Sequence, residues 1–442
     1  MLFLLIIIII SVYFRIFLYY CLINLVKYSI SVYFFLESMQ LTSKEIRILQ
    51  ALHFLKEHSR YEIAHRTGIS TVSVTTLLNR LIEDGRITKS GKTESRSGRP
   101  SVLYDISPDF GYFIGVSIET NSIRLVAIDS GQLILVDRER PLILSPDPGE
   151  HLADIIRQLG KELESLFASG LVERERMLAM GMSLPGMVDT ERGVWLTGFR
   201  VSGIGHIHLR DILERKFSIP VSVEDPTRCI SWRELTRKGA DMKEPFVLLY
   251  LGSGVGAGIV IDGKLYRGAG GLAGEIGHLH VTEDGDRCPC GNIGCLETVV
   301  SEPSILRNFQ RRLAEGVIST LGRILPENLD ILAIYDAAKS GDRLARSTLY
   351  DLGLFLGETC ATLVELYNPS TLLIGGSVGV LGEFFDDPIN LRLRQRVLPE
   401  MLNDLELKYA PHEPNDEAIG AAKIAERRFW ESLGKDLPLG EE

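Results

Sequence analysis

Three cysteines lie close together in this chain: Cys288, Cys290 and Cys295. Two thiols one residue apart, with a third five residues on, have the spacing of metal ligands rather than of a disulfide framework. Such spacing demands a tight knuckle, and Gly291 and Gly294 stand where the chain must turn. Cys21, Cys229 and Cys360 are isolated and read as inert thiols. A second feature with chemical potential is the run Gly252-Ser253-Gly254-Val255-Gly256-Ala257-Gly258, which follows an apolar stretch at 246–251. A glycine-rich turn after a buried strand either brings backbone N–H groups up to a phosphate or is simply a tight turn.

These residues need a scaffold, and 442 residues suffice for two or three domains. With 45% hydrophobic and 24% charged residues the chain is of globular type. From about residue 108 the pattern is α/β. Apolar strands are expected at 113–118, 123–129, 178–183 and 246–251, with an amphipathic helix at 151–168.

The segment before it differs in charge. The whole chain carries −10, yet residues 39–107 hold eleven Lys/Arg against seven Asp/Glu. A basic module on an acidic body suggests local contact with a polyanion. Thr42-Ser43-Lys44-Glu45 has capping-box spacing. The helix after it places Ile46, Leu49, Leu52, Phe54 and Leu55 mainly on one face. A short helix at 61–66, a turn at Gly68-Ile69-Ser70 and a third helix at 71–84 complete a helix-turn-helix. Strands at 86–89 and 102–106, with the polar loop between them, make a wing. In this arrangement the third helix enters the major groove, so Thr71, Ser73, Thr75, Thr76, Asn79 and Arg80 are candidate contacts to bases or phosphates. Arg96 and Arg99 in the wing join them, because an arginine between Gly98 and Pro100 can lie flat in a narrow minor groove. A helical protein-interaction module is the alternative.

Residues 1–38 are of another kind, with 1–36 almost wholly Leu, Ile, Phe, Tyr, Val and Ser. Residues 2–26 are long enough to span a bilayer, with Arg15 near the middle. A signal peptide fits poorly, since no charged region precedes the apolar run and no small-residue cleavage site follows it. The composition is also what AT-rich DNA upstream of a start codon would encode, with Met39 as the true start, and this is the favoured expectation.

The stretch Gly271-Leu272-Ala273-Gly274-Glu275-Ile276-Gly277-His278, followed by Cys288-Pro289-Cys290-Gly291-Asn292-Ile293-Gly294-Cys295-Leu296-Glu297, closely resembles the ROK family of repressors, open reading frames and sugar kinases. The resemblance runs over about 42–434, and the N-terminal module is similar to that of the winged-helix repressor branch. It implies a winged helix-turn-helix followed by a two-lobed actin/hexokinase-like (ribonuclease H-like) fold. Domains are then expected at 39–107, 108–240 and 241–442, with a closing helix near 417–429.

The resemblance also implies that His278 joins Cys288, Cys290 and Cys295 in a structural zinc site, since four protein ligands leave no position open for water. Glu275, His278, Glu297 and Asp225 are the implied sugar contacts; the alternative is that Glu275 and Glu297 only brace the cysteine loop. Kinases of the family carry Asp-x-Gly-Gly-Thr on the first strand, and here the matching residues are Ser117, Ile118, Glu119, Thr120 and Asn121. They also carry Glu-Asn-Asp-x-Asn, matched here by Glu224, Asp225, Pro226, Thr227 and Arg228. Pro226 stands at the position of the catalytic base and takes no proton. The expectation is a cytoplasmic, sugar-responsive repressor, a homodimer or dimer of dimers on operator DNA. Its effector would be a sugar or sugar phosphate that closes the lobes, and kinase chemistry would be lost. A sugar kinase with an appended DNA-binding module, using Asp225 as base, is the rival.

Overall fold

In the computed structural model the first helix, Ser43–Leu55, begins where its capping box requires. Glu45 accepts from the Thr42 backbone N–H at 2.8 Å and from its hydroxyl at 2.7 Å, while Thr42 Oγ1 accepts from Glu45 N at 3.3 Å. The structure describes residues 41–55, 58–92, 100–198, 201–237 and 245–433. Ile46, Ile48, Leu49 and Leu52 form the buried face of this helix. Phe54, expected on that face, is instead exposed and meets His53 edge-on.

The second helix, Arg60–Thr67, has its own capping box between Ser59 and Glu62 and ends at left-handed Gly68. Ser70 caps the third, Thr71–Glu83, which buries Val74, Leu78 and Leu81. Strands Ile87–Lys92 and Val102–Ile106 pair antiparallel behind it, and the short strand His58–Ser59 adds to the far edge of Val102–Ile106. Three helices with this small sheet make a winged helix-turn-helix.

The chain forms two compact units. The first contains this module and a five-stranded sheet in the order Val221–Glu224, Met177–Ser183, Tyr112–Ile118, Ser122–Asp129, Ile134–Pro141. The first three are parallel to one another, and the last two continue as an antiparallel meander. The second unit has a sheet of the same pattern: Glu406–Tyr409, Thr371–Gly375, Phe246–Leu251, Val255–Ile261, Lys264–Leu265. Again three strands run parallel and two turn back as a meander. This repeated plan is that of the actin/hexokinase-like fold. In the second unit the 25-residue helix Arg343–Tyr367 supplies much of the core.

The units divide at Glu224/Asp225, upstream of the 240/241 boundary expected from sequence. The reason is local. Val221–Glu224 is hydrogen-bonded to Met180–Ser183 of the first sheet. The helix that follows, Pro226–Arg237, packs so tightly on strand Val255–Ile261 that a Cβ on Gly258 would lie 1.7 Å from Ser231 Oγ. The last helix, Asp416–Ser432, crosses the same division, and its end from Ala421 belongs to the first unit. There Phe429 and Trp430 are fully buried. Trp430 stacks on Phe110 at 5.4 Å and on His53 at 5.1 Å, and its carbonyl accepts from Gln50 at 2.7 Å. The winged-helix module therefore packs within the first unit rather than standing apart.

Helix and sheet meet there without room for a side chain, since a Cβ on Gly181 would lie 1.9 Å from the Ala421 carbonyl oxygen. Gly181→Ala is expected to lower the unfolding free energy by about 3 kcal/mol or more, measured by thermal or urea unfolding. Gly91→Ala, at a site with nothing near the added carbon, serves as the control and is expected to change it by less than about 0.5 kcal/mol.

Candidate metal centre and ligand pocket

Between the strand Lys264–Leu265 and the helix Glu297–Val300 the chain has almost no regular structure, only a 3₁₀ turn at Ile276–His278. Its shape comes from cross-links. Isolated bridges join His280 to Cys295 and Arg287 to Ile293. Val281 N donates to Gly294 O, and Leu296 N donates to Leu279 O, each at 2.8 Å. Gly294 has φ +70°, and a Cβ there would lie 1.7 Å from Thr282 O, so only glycine fits.

This folding gathers His278, Cys288, Cys290 and Cys295, whose ligand atoms all lie within 4.8 Å of one another. His278 Nδ1 is 3.5 Å from Cys288 Sγ, and Cys290 Sγ is 3.7 Å from Cys295 Sγ. Tetrahedral zinc with bonds of about 2.0–2.3 Å places its ligand atoms about 3.6 to 3.8 Å apart. The donor set and both spacings fit a metal. Nδ1 faces the thiols, which leaves Nε2 as the imidazole's other polar atom. Burial pushes the Cys288 thiol up to about 12, so a metal there must displace protons.

Glu275 and Glu297 lie a few residues outside this cluster, at either end of the segment. Burial pushes the Glu275 carboxyl up to about 7; the nearby Asp225 and Glu297 charges raise it further, against the Arg228 guanidinium. These four side chains thus form one electrostatic group within the second unit. Glu297 Oε2 accepts from Val255 N at 3.2 Å, so Glu297 does brace the segment against the adjoining strand.

Asp225 is also engaged. Its Oδ1 accepts from Arg228 N at 3.0 Å, capping the helix that Pro226 begins, and its other oxygen is ion-paired with Arg228 Nε. Arg228 is only 2% exposed and donates as well to Ala273 O at 3.2 Å. Nothing in the sequence marks this arginine's place beside Glu275. Its one available signal was the i, i+3 spacing from Asp225, which any surface pair shares.

The residues matching the family's first phosphate loop are in unsuitable form. Ser117 and Ile118 end a buried strand, and Glu119 N donates to Ser122 O at 2.9 Å in a short exposed hairpin. In the second glycine run, Gly256 and Gly258 are explained by contact with the helix Pro226–Arg237 of the same unit. Cβ atoms there would lie 2.6 Å from Thr227 Oγ1 and 1.7 Å from Ser231 Oγ.

In the winged-helix module the recognition helix, Thr71–Glu83, is well formed, but its hydroxyls are locally engaged. Ser73 Oγ lies 2.9 Å from Ser70 Oγ. Thr75 Oγ1 donates to Thr71 O at 2.8 Å, and Thr76 Oγ1 to Val72 O at 3.3 Å. Asn79 is exposed. Arg80 is half-exposed and held 3.3 Å from buried Glu45, with Asp84 at 3.9 Å. Arg96 and Arg99 lie outside the described residues.

Comparison with known proteins agrees with this geometry. The xylose repressor of Caldicellulosiruptor bescii is 29% identical over 356 residues, covering 80% of this chain and 87% of its own. The DNA-binding transcriptional repressor Mlc of Escherichia coli is 25% identical over 376 residues, covering 85% and 91%. Among solved structures, a ROK family transcriptional regulator described as a homolog of the E. coli MLC protein superposes with a TM-score of 0.74 at 26% identity, covering 88% of this chain and 96% of its own. A ROK family glucokinase from Streptomyces griseus, in complex with glucose and AMPPNP, gives 0.60 at 27% identity, covering 72% and 100%. The ROK family model itself matches residues 113–428, so this chain belongs to the ROK family.

Proposed function

We propose that this protein is a sequence-specific transcriptional repressor of carbohydrate use, in which a sugar or sugar phosphate bound to the ROK body alters operator binding. One observation carries the reading. The carboxylate next to the position of a kinase base, Asp225, is turned onto its own helix and paired with buried Arg228, in a chain that also carries a winged helix-turn-helix. A base so engaged is poorly placed to take a proton from a sugar hydroxyl. The missing phosphate loop supports the same conclusion independently. Likeness to the regulator extends over 88% of the chain against 72% for the glucokinase, as an added N-terminal module requires.

The pocket then works as a sensor. Glu275, Glu297 and the Nε2 side of His278 offer acceptors and donors to sugar hydroxyls, with Asp225 as a further contact. Zinc, held by His278, Cys288, Cys290 and Cys295, keeps this wall in shape and takes no part in chemistry. The effector changes operator affinity only by as much as it prefers one conformation over another. Homodimers, or dimers of dimers, reading paired half-sites are the usual arrangement for such modules. Among the described residues no helix is long and apolar enough to cross a membrane, and operator DNA places the working protein in the cytoplasm.

Two measurements follow. Elemental analysis of the purified protein is expected to find about one zinc per chain, and Cys295→Ala is expected to abolish it and to lower the melting temperature. Fluorescence anisotropy with DNA from upstream of its own operon, at fixed salt, is expected to show specific binding that one of a panel of sugars shifts by about 5- to 150-fold. Glu275→Ala is expected to remove that shift while changing sugar-free operator affinity by less than about twofold. ATP-dependent phosphorylation of any sugar in the panel would overturn the non-enzymatic part of the reading.

A further inference from the structure

Val72 is the second residue of the recognition helix, and it is 79% exposed. Leu77 and Ile82 of the same helix are partly buried, and three others are all but inaccessible: Val74 at 0%, Leu78 at 1% and Leu81 at 0%. A β-branched side chain is a middling helix former, and in water it gains nothing from burial. Packing of the module therefore does not explain Val72.

Its surroundings sharpen the point. Three of the polar side chains expected to contact bases at this end of the helix have local partners instead. Thr75 and Thr76 donate to the carbonyls of Thr71 and Val72, and Ser73 pairs with the capping Ser70. Thr76 lies one turn beyond Val72 on the same face and is also exposed. With its hydroxyl held by Val72 O, Thr76 adds a methyl to the surface that Val72 begins. Val72 and the Thr76 methyl thus give the leading turns of the helix an apolar spot.

In a helix-turn-helix the N-terminal residues of the recognition helix are those that face base edges. The major groove offers one apolar group, the C5-methyl of thymine. We infer that Val72, flanked by Thr76, is a specificity-determining residue that packs on a thymine methyl in each operator half-site. The inference rests on the DNA-binding reading above and adds to it the chemistry of the base that is read.

Full-length protein is used to select its duplex from random-sequence DNA, and binding is measured by anisotropy at fixed salt. Each thymine of the selected half-site is then replaced singly by deoxyuridine, which deletes only the methyl group. At one or two positions per half-site this is expected to weaken binding about fourfold, the effect of exposing one buried methyl. In Val72→Ala the same positions are expected to become insensitive to the replacement, with circular dichroism and melting temperature unchanged because the side chain packs on nothing in the module. Thymines that all tolerate uracil, or sensitivity that persists in Val72→Ala, would overturn the inference and leave the DNA-binding reading standing. Failure to select any duplex would overturn both.

Discussion

The functional surface of the second unit depends on one local constraint, the gathering of His278, Cys288, Cys290 and Cys295. The segment between residues 265 and 297 has few ladder hydrogen bonds and little core of its own. Ordering such a segment costs about 1–2 kcal/mol per residue in backbone entropy alone, more than a handful of turn hydrogen bonds returns. A metal held by these four side chains would offset that cost. Glu275 lies three residues before His278, and Glu297 stands two residues after Cys295, so the geometry of the cluster passes to both carboxylates through short lengths of backbone.

What the sequence disclosed, and what it did not, follows from the range of the forces involved. The capping box at Thr42 and Glu45, the turn at Gly68 and the cap at Ser70 were readable because each is satisfied within four residues of chain. The cysteine knuckle was readable because ligand spacing is itself a short-range geometric demand. Phe54 was misplaced since helical periodicity marks a face without saying how wide its covering is, and Ile48 proved to lie under that covering instead. Arg228 and Val72 were missed for opposite reasons. A buried arginine looks like a surface one until the partners that desolvate it are known, and an exposed valine looks like a core one until the packing is seen to pass it by.

The glycine runs teach a related lesson. Gly252 to Gly258 has the look of a phosphate-binding turn, yet Gly256 and Gly258 are small because Thr227 and Ser231 press against them. Helix-to-strand contact and phosphate approach both call for a missing side chain, and composition cannot separate them. The hairpin at Glu119 does separate them, since a carboxylate now stands exposed where backbone donors would be needed. Retention of one glycine run beside loss of the other is what selection for fold without selection for phosphate transfer would leave.

That difference bears on how a kinase-like pocket serves a regulator. A catalyst must realise its binding energy in the transition state; a sensor must realise it as a preference between conformations. Asp225 is tied to Arg228, a poor arrangement for a base, and the pair sets charge beside Glu275. Burial, with the charges of Asp225 and Glu297, pushes the Glu275 carboxyl up to about 7; in the proposed sensor its protonated form would donate to a sugar oxygen and its ionised form accept from a hydroxyl. The departures from the family's kinase motifs lie in the turns at 117–121 and 225–228, while His278, Cys288, Cys290 and Cys295 stay gathered in one place.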